Sequence, residues 1–408
     1  MTFQKTDEVK VLRDPVHADD RVEYEVIWKL INSRWMQRMR RIRQLGGAFM
    51  VYHTADHTRF SHSLGVYEIV RRMITEVPDI ARALNEREKV TVLAAGLLHD
   101  VGHGPYSHAF EKVIGEDHES FTCRIIEEDT EITKILEEAA PGLSHEVADV
   151  IRHKSANPLL PQLISAQLDA DRMDYLLRDS YFTGTTYGHF DLERILRTLR
   201  VENDFVVVKE SGVYAIENYV MARYHSYWQI YYHPGARSFE CMLEKLFQRL
   251  RDLRAEGKMP PSIPEFDALL SGEHMSLEDY YVLDEYACNY AFEVLSRGED
   301  PIAADLASRI LDRRLFDYME DSPENREKVT AVLKQAGYDP EYYLTSDDVG
   351  QRVYIPYRVS AGNAIRVRLH GGEIKELSEA SNIVQSLVKG KQLRDDRIYY
   401  PKEIRGLL

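Results

Sequence analysis

The sequence predicts a mainly α fold with short β-hairpins and a small α+β unit at its C-terminal end. Three observations carry that expectation. Apolar residues recur at three- and four-residue spacing through most of the chain. Alternating, β-branched stretches are confined to VENDFVVVKESGVYAI and to the tail after about residue 348. The length of 408 residues, with 44% hydrophobic and 29% charged residues, suits two or three packed globular units rather than a disordered chain.

Taken in order, VKVLRDPVH reads as a short strand and turn over 1–20, because Pro15 blocks a helix. From Val22 the pattern turns helical and runs through EYEVIWKLINSRWMQRMRRIRQLGG until Gly46-Gly47. RFSHSLGVYEIVRRMITEV is the next helix. EREKVTVLAAGLLHD is apolar nearly all round and predicts a central buried helix, broken after Asp100 by Gly102, Gly104 and Pro105. FTCRIIEE, HEVADVIRHK and PQLISAQLDADRMDYLLRDSYF continue the helical pattern. VENDFVVVKESGVYAI predicts a hairpin about its Ser-Gly turn. A long aromatic-rich helical region follows, interrupted at Pro234-Gly235. KMPPSIP marks a boundary near residue 260, after which a helical segment extends to Gly337. RVYIPYRV, AIRVRLH and IYYPKEI read as strands around the helical EASNIVQSLV.

The formal charge is 52 − 67 = −15, so on average the chain repels nucleic acid and anionic lipid; nucleic acid is not the expected partner. Three widely spaced cysteines give neither a disulfide pattern nor a thiolate metal framework. The charged start MTFQKTDEVK is no signal peptide, and no apolar run approaches the ~20 residues of a membrane span. A cytoplasmic location is expected.

Seven of the 15 histidines lie between His53 and His118. His62 stands in RFSHSLGV; His99, Asp100, His103 and His108 stand in LLHDVGHGPYSH; His118-Glu119 follows, and Asp171, Asp174 and Asp179 come much later. An imidazole and a carboxylate ending an apolar helix cost several kcal/mol of desolvation unless something compensates. A divalent cation compensates, and mixed His and carboxylate donors suit a first-row metal with positions open to water. Singly, each residue has a plain explanation: His62 as a satisfied core histidine, Asp171 as a surface carboxylate, His103 and His108 as solvated turn residues. Jointly, they would require several independent accidents.

These blocks resemble the HD-domain superfamily of metal-dependent phosphohydrolases, and more narrowly its deoxynucleoside triphosphate triphosphohydrolases, which include the sterile-alpha-motif/HD-domain enzyme. DPVH (14–17), QRMRRIRQLGG (37–47), RFSHSLGV (59–66), LLHDVGHGPYSHAFE (97–111), HES (118–120) and LDADRMDYLLRDSYFTG (168–184) carry the likeness. It implies that 21–255 is an HD domain; the boundaries read from the pattern then leave a helical extension over 256–345 and an α+β unit over 346–408. It also implies His62, His99, Asp100 and Asp171 as ligands of a divalent metal, whether Mn, Mg, Fe, Ni or Zn. His103, His108 and His118 would surround the scissile phosphate, with His108 the proton donor and Glu119 or Glu111 its orienting carboxylate. Arg59, Arg172, Tyr175 and Arg223 would contact substrate, mainly its phosphates; Gln44 and Asp179 would grip a 3′-hydroxyl, and Leu45 and Tyr231 would pack at C2′. The implied reaction converts a dNTP to deoxynucleoside and triphosphate by attack of water on the α-phosphorus.

The resemblance further implies a homotetramer with an effector, dGTP or GTP, between protomers. Lys10, Val11, Gln37, Arg40 and Arg194 match such positions, and Asn32 stands where the animal enzyme reads guanine with an Asp. The plain alternative for the basic run Arg34, Arg38, Arg40, Arg41 and Arg43 is a solvated or salt-bridged helix. Two other readings of the whole chain remain at this point: another HD phosphohydrolase or phosphodiesterase, acting on cyclic nucleotides, alarmones or nucleic-acid ends, and a non-catalytic nucleotide sensor.

Overall fold

A computed structural model describes residues 2–128, 130–259, 263–272, 274–347, 364–390 and 395–408. The fold is mainly α, with a helical core flanked by small sheets. Among the described residues no helix is long and apolar enough to cross a membrane.

The chain begins with an antiparallel hairpin, β1 (Lys5–Asp14) and β2 (Ala18–Tyr24), joined by a turn at 15–17. The helix expected from Val22 starts instead at Glu25, since Val22 pairs with Lys10 in the hairpin. It stops at Asn32, where Ser33 leaves helical geometry and caps the short helix Arg34–Arg38 through its hydroxyl. The periodic run up to Gly46 is therefore broken in two and ends in a single 3₁₀ turn at Met39–Arg41.

Arg59–Glu76 packs between Glu86–Leu98 and Ala170–Thr183, and these helices form the frame of the molecule. Asn85 and Glu88 close a capping box at the start of Glu86–Leu98. Every residue from Val90 to Leu98 is buried, as the all-round apolar pattern predicts, and each large side chain there contributes about 1.5–3 kcal/mol. Gly65 lets the helices meet, because a Cβ there would stand 1.9 Å from Asp174 Oδ1. The single helix expected over PQLISAQLDADRMDYLLRDSYF is two, Leu159–Ile164 and Ala170–Thr183. Asp169 caps the second by accepting from the Arg172 N–H at 2.7 Å.

β3 (Leu199–Glu202) and β4 (Phe205–Lys209) form a hairpin, but it turns at Asn203-Asp204, both at positive φ, and not at Ser-Gly. Asn and Asp tolerate that geometry better than most residues, and Ser211-Gly212 instead lead into the helix Val213–Ser226. A π-helical turn at Tyr227–Tyr231 joins this to Pro234–Ala255, with the break where Pro234 predicts it.

Beyond these lie β5 (Asp317–Glu320), β6 (Thr345–Asp347), β7 (Arg366–Arg368), β8 (Ile374–Glu376) and β9 (Arg397–Tyr400). Parallel pairing of β7 with β4 gives the sheet order β3-β4-β7-β8, and β9 lies between β5 and β6. The tail strands thus complete sheets begun by the helical body. RVYIPYRV and part of KMPPSIP fall outside the described residues.

Candidate metal centre and active site

Three helices deliver the expected ligands to one point. His62 sits one turn into Arg59–Glu76, His99 and Asp100 sit at the C-terminal end of Glu86–Leu98, and Asp171 sits in the first turn of Ala170–Thr183. His62 Nε2 is 3.1 Å from Asp171 Oδ1 and 3.5 Å from Asp100 Oδ2; His99 Nε2 is 3.3 Å from Asp100 Oδ1 and 3.7 Å from Asp171 Oδ1.

The hydrogen bonds decide which nitrogens point inward. His99 Nδ1 donates to the Gly96 carbonyl at 2.9 Å, so the neutral ring carries its lone pair on Nε2, which is buried and has no hydrogen-bond partner. His62 Nδ1 donates to Asp174 Oδ2 at 2.7 Å, turning its Nε2 lone pair toward the carboxylates as well. Lone pairs converging in a buried space repel unless a cation lies among them. The donor set therefore fits a divalent metal ion, which the cluster could hold, with Asp174 anchoring His62 from behind.

Asp100 and Asp171 also line a cavity of about 570 Å³. His103, His108, His118 and Glu119 line it, the three imidazoles in contact with one another. Arg59, Arg172 and Tyr175 lie beside the metal centre, and Gln44, Leu45, Asp179 and Tyr231 line it too. His103 stacks on His118 with ring centroids 3.8 Å apart. Burial, then the charges of Arg59 and His118, hold the His103 pKa well below the usual imidazole value, so this ring is neutral.

Glu111 is the carboxylate that meets the histidines. Its Oε2 is 3.1 Å from His108 Nδ1, and its Oε1 accepts a short hydrogen bond from His118 Nδ1. These bonds hold the Glu111 carboxyl well below the ordinary range although burial acts the other way. Of the two carboxylates expected beside His108, Glu111 makes the contact; Glu119 faces the cavity without one.

Arg59 pairs with Asp100 and donates to the Ser107 hydroxyl at 2.8 Å; Ser107 and Tyr106 both hold positive φ. Strained non-glycine backbone of this kind clusters at functional sites. Arg172 pairs with Asp169 across the helix start. Arg223 does not line the cavity: its guanidinium lies over the Tyr227 ring, with Nη1 3.4 Å from Gln167 Oε1. Asp179 accepts from the Tyr231 hydroxyl at 2.7 Å and from His57 Nε2 at 2.8 Å. Leu45 packs with Ile230, Ala236 and Tyr231.

The basic run is not a solvated helix. Arg38 is fully buried and donates to the carbonyls of His103, Tyr280, Tyr281 and Leu283. Arg34, Arg41 and Arg43 pair with Glu278, Asp284 and Glu285. Arg40, like Arg38, has no carboxylate partner among the described residues; its Nε donates to Gln37 and its guanidinium covers the Phe60 ring. Val11 is exposed on β1, beside Lys10, which pairs with Asp7. Asn32 donates its amide to the Trp28 carbonyl. Arg194 lies on another helix and donates to the Ser211 carbonyl.

Sequence reasoning missed the supporting residues. His17 Nε2 is 2.6 Å from Asp174 Oδ1, and Arg178 bridges Asp174 and Asp14. The spacing Asp171, Asp174, Arg178 puts those residues on one helix face and could have been read. Nothing in the sequence ties His17 or His57 to residues more than a hundred positions away.

With this geometry in place, comparison identifies the class. The HD domain model matches residues 59–179 and the HD associated region model matches 190–320. The chain belongs to the HD-domain phosphohydrolase family. It is 46% identical to the uncharacterized protein YwfO of Bacillus subtilis, over 98% of this chain and 94% of that protein. It is 25% identical to the deoxynucleoside triphosphate triphosphohydrolase SAMHD1 of Gallus gallus, over 81% of this chain and 59% of that one. Its fold is similar to that of a phosphohydrolase from Bacteroides thetaiotaomicron (TM-score 0.85, 29% identity, 96% of this chain and all of that one). A hypothetical protein from Aquifex aeolicus is similar too (TM-score 0.76, 30% identity, 98% of each chain).

Proposed function

We propose that the protein is a metal-dependent dNTP triphosphohydrolase that releases deoxynucleoside and inorganic triphosphate. The observation that carries this reading is one cavity shared by a His/Asp metal cluster, a histidine trio of which His108 and His118 share Glu111, and a polar pocket of Gln44, Asp179 and Tyr231. The triphosphohydrolase named among its relatives, alike over most of the chain, supports it.

A bound divalent ion would supply an acidified water and draw charge from the phosphoryl oxygens. Arg59, Arg172 and Tyr175 bind and orient the phosphate chain in an otherwise acidic protein. Water attacks the α-phosphorus, the bond from phosphorus to the 5′-oxygen breaks, and the departing oxygen takes a proton from His108 Nε2. Glu111, on His108 Nδ1, stabilises the imidazolium before transfer and fixes the ring's direction. At the other end Leu45 and Tyr231 pack at C2′, where a ribose hydroxyl would be crowded. Chromatography of products from each dNTP and NTP, with Mn²⁺ or Mg²⁺, tests the assignment. Nucleoside plus triphosphate is expected; orthophosphate or pyrophosphate would place the attack elsewhere.

The assembly we propose is a homotetramer with dGTP or GTP held between protomers by Lys10, Val11, Asn32, Gln37, Arg40 and Arg194. Because the Asn32 amide N–H is committed to Trp28, its Oδ1 is left to accept, the polarity a guanine N–H requires. Equal dATP hydrolysis with and without dGTP would remove the effector; light scattering reports the assembly.

A further inference from the structure

His57 is buried, does not line the cavity, and has no part in the chemistry above. Yet it touches both residues expected at the 3′-hydroxyl. Its Nε2 lies 2.8 Å from Asp179 Oδ1, and since a carboxylate only accepts, Nε2 carries the proton. The ring is clamped against Phe182, stacked with centroids 4.7 Å apart and planes 12° from parallel. Through its backbone the same residue accepts from the Gln44 N–H at 3.0 Å, and the adjoining Arg59 N–H to Ile42 bond laces the two segments together.

Asp179 is thereby held at both oxygens, Oδ1 by His57 and Oδ2 by the Tyr231 hydroxyl at 2.7 Å. Its torsion is set, each oxygen keeps a second lone pair, and the residue lines the cavity. Beside it Gln44 Oε1 is buried with no partner, an acceptor that costs free energy until a ligand brings it a hydrogen. We propose that His57 is the positioning residue for sugar selection, holding Asp179 and Gln44 as a pair that grips a free 3′-hydroxyl. The inference rests on the dNTP reading above and adds a positioning residue to its 3′-hydroxyl contacts. Free nucleotides with a 3′-hydroxyl are accepted, whereas dideoxy sugars and sugars esterified at the 3′ position, as inside a nucleic-acid strand, bring no hydrogen to the pair.

The test is steady-state kinetics with Mn²⁺ on dATP and 2′,3′-dideoxyATP. It uses wild type, His57→Phe (stacking kept, donor lost), His57→Gln (donor kept) and Asp179→Asn. Wild type prefers dATP. His57→Phe loses about 10-fold in kcat/KM on dATP, mostly through KM, and under about two-fold on the dideoxy analogue; His57→Gln retains most of the preference. Equal losses on both nucleotides, or an unchanged preference in His57→Phe, overturn the inference. If Asp179→Asn abolishes the preference while His57→Phe keeps it, only the role of His57 falls. If wild type treats the two nucleotides alike or turns over neither, the sugar reading falls and the inference with it.

Discussion

Asp174 shows how much one residue can do without touching substrate. It is fully buried, accepts from His62, His17 and Arg178, and fixes the tautomer of a metal-facing imidazole. Asp174→Asn should weaken Mn²⁺ binding about 10- to 100-fold, measured by calorimetric titration, while circular dichroism stays that of a folded protein. Asp20 sits nearby under opposite conditions. Burial, followed by the charge of Asp14, pushes its pKa from 3.8 up to about 8. The folded protein thus holds a proton that the unfolded chain releases near pH 4. This contribution to stability is complete below that pH and is lost as pH rises toward 8. Denaturant midpoints across that range should fall in wild type and stay flatter in Asp20→Asn.

Between helices, close approach is the determining feature. Gly65 faces Asp174 and Arg178, so Gly65→Ala must displace this buried side-chain pair, on which His62 is anchored. A loss of about 1–3 kcal/mol in urea unfolding is expected, with weaker Mn²⁺ binding in the fraction that folds. The segment Arg34–Arg38 works through Arg38, whose guanidinium satisfies carbonyls of the 280–283 segment and of His103. Arg38→Met leaves those carbonyls buried and unpaired. It should cost about 3–5 kcal/mol and lower turnover, because the loop carrying His103 loses its anchor.

For the molecule as a whole, the His/Asp cluster that could hold a metal draws on three helices, and a bound cation would offset the repulsion between their carboxylates. Chelation should therefore lower the thermal midpoint, and Mn²⁺ at a hundredfold excess over its Kd should restore about 2.7 kcal/mol of stability. Scanning fluorimetry with and without EDTA checks this; an unchanged midpoint would count against a bound ion. The sheets act at the same scale, since β9 and β7 bring the C-terminal tail back onto strands that precede it by many residues.

Much of this was legible in the residues alone. Local order carries helix periodicity, the buried helix ending in His99-Asp100, and the break at Pro234, because those depend on neighbours three or four positions away. Where the expectations missed, a distant partner decided. Val22 was drawn into a hairpin, and Ser33 and Asp169 exchanged helix continuity for capping bonds; the basic run is salt-bridged, as one reading of it had it, but its acids lie more than two hundred residues on. The choice of Glu111 over Glu119, and the grip of His57 on Asp179, likewise belong to tertiary structure. A hydrogen bond is a matter of ångströms in space, and the sequence states only which groups are available to make it.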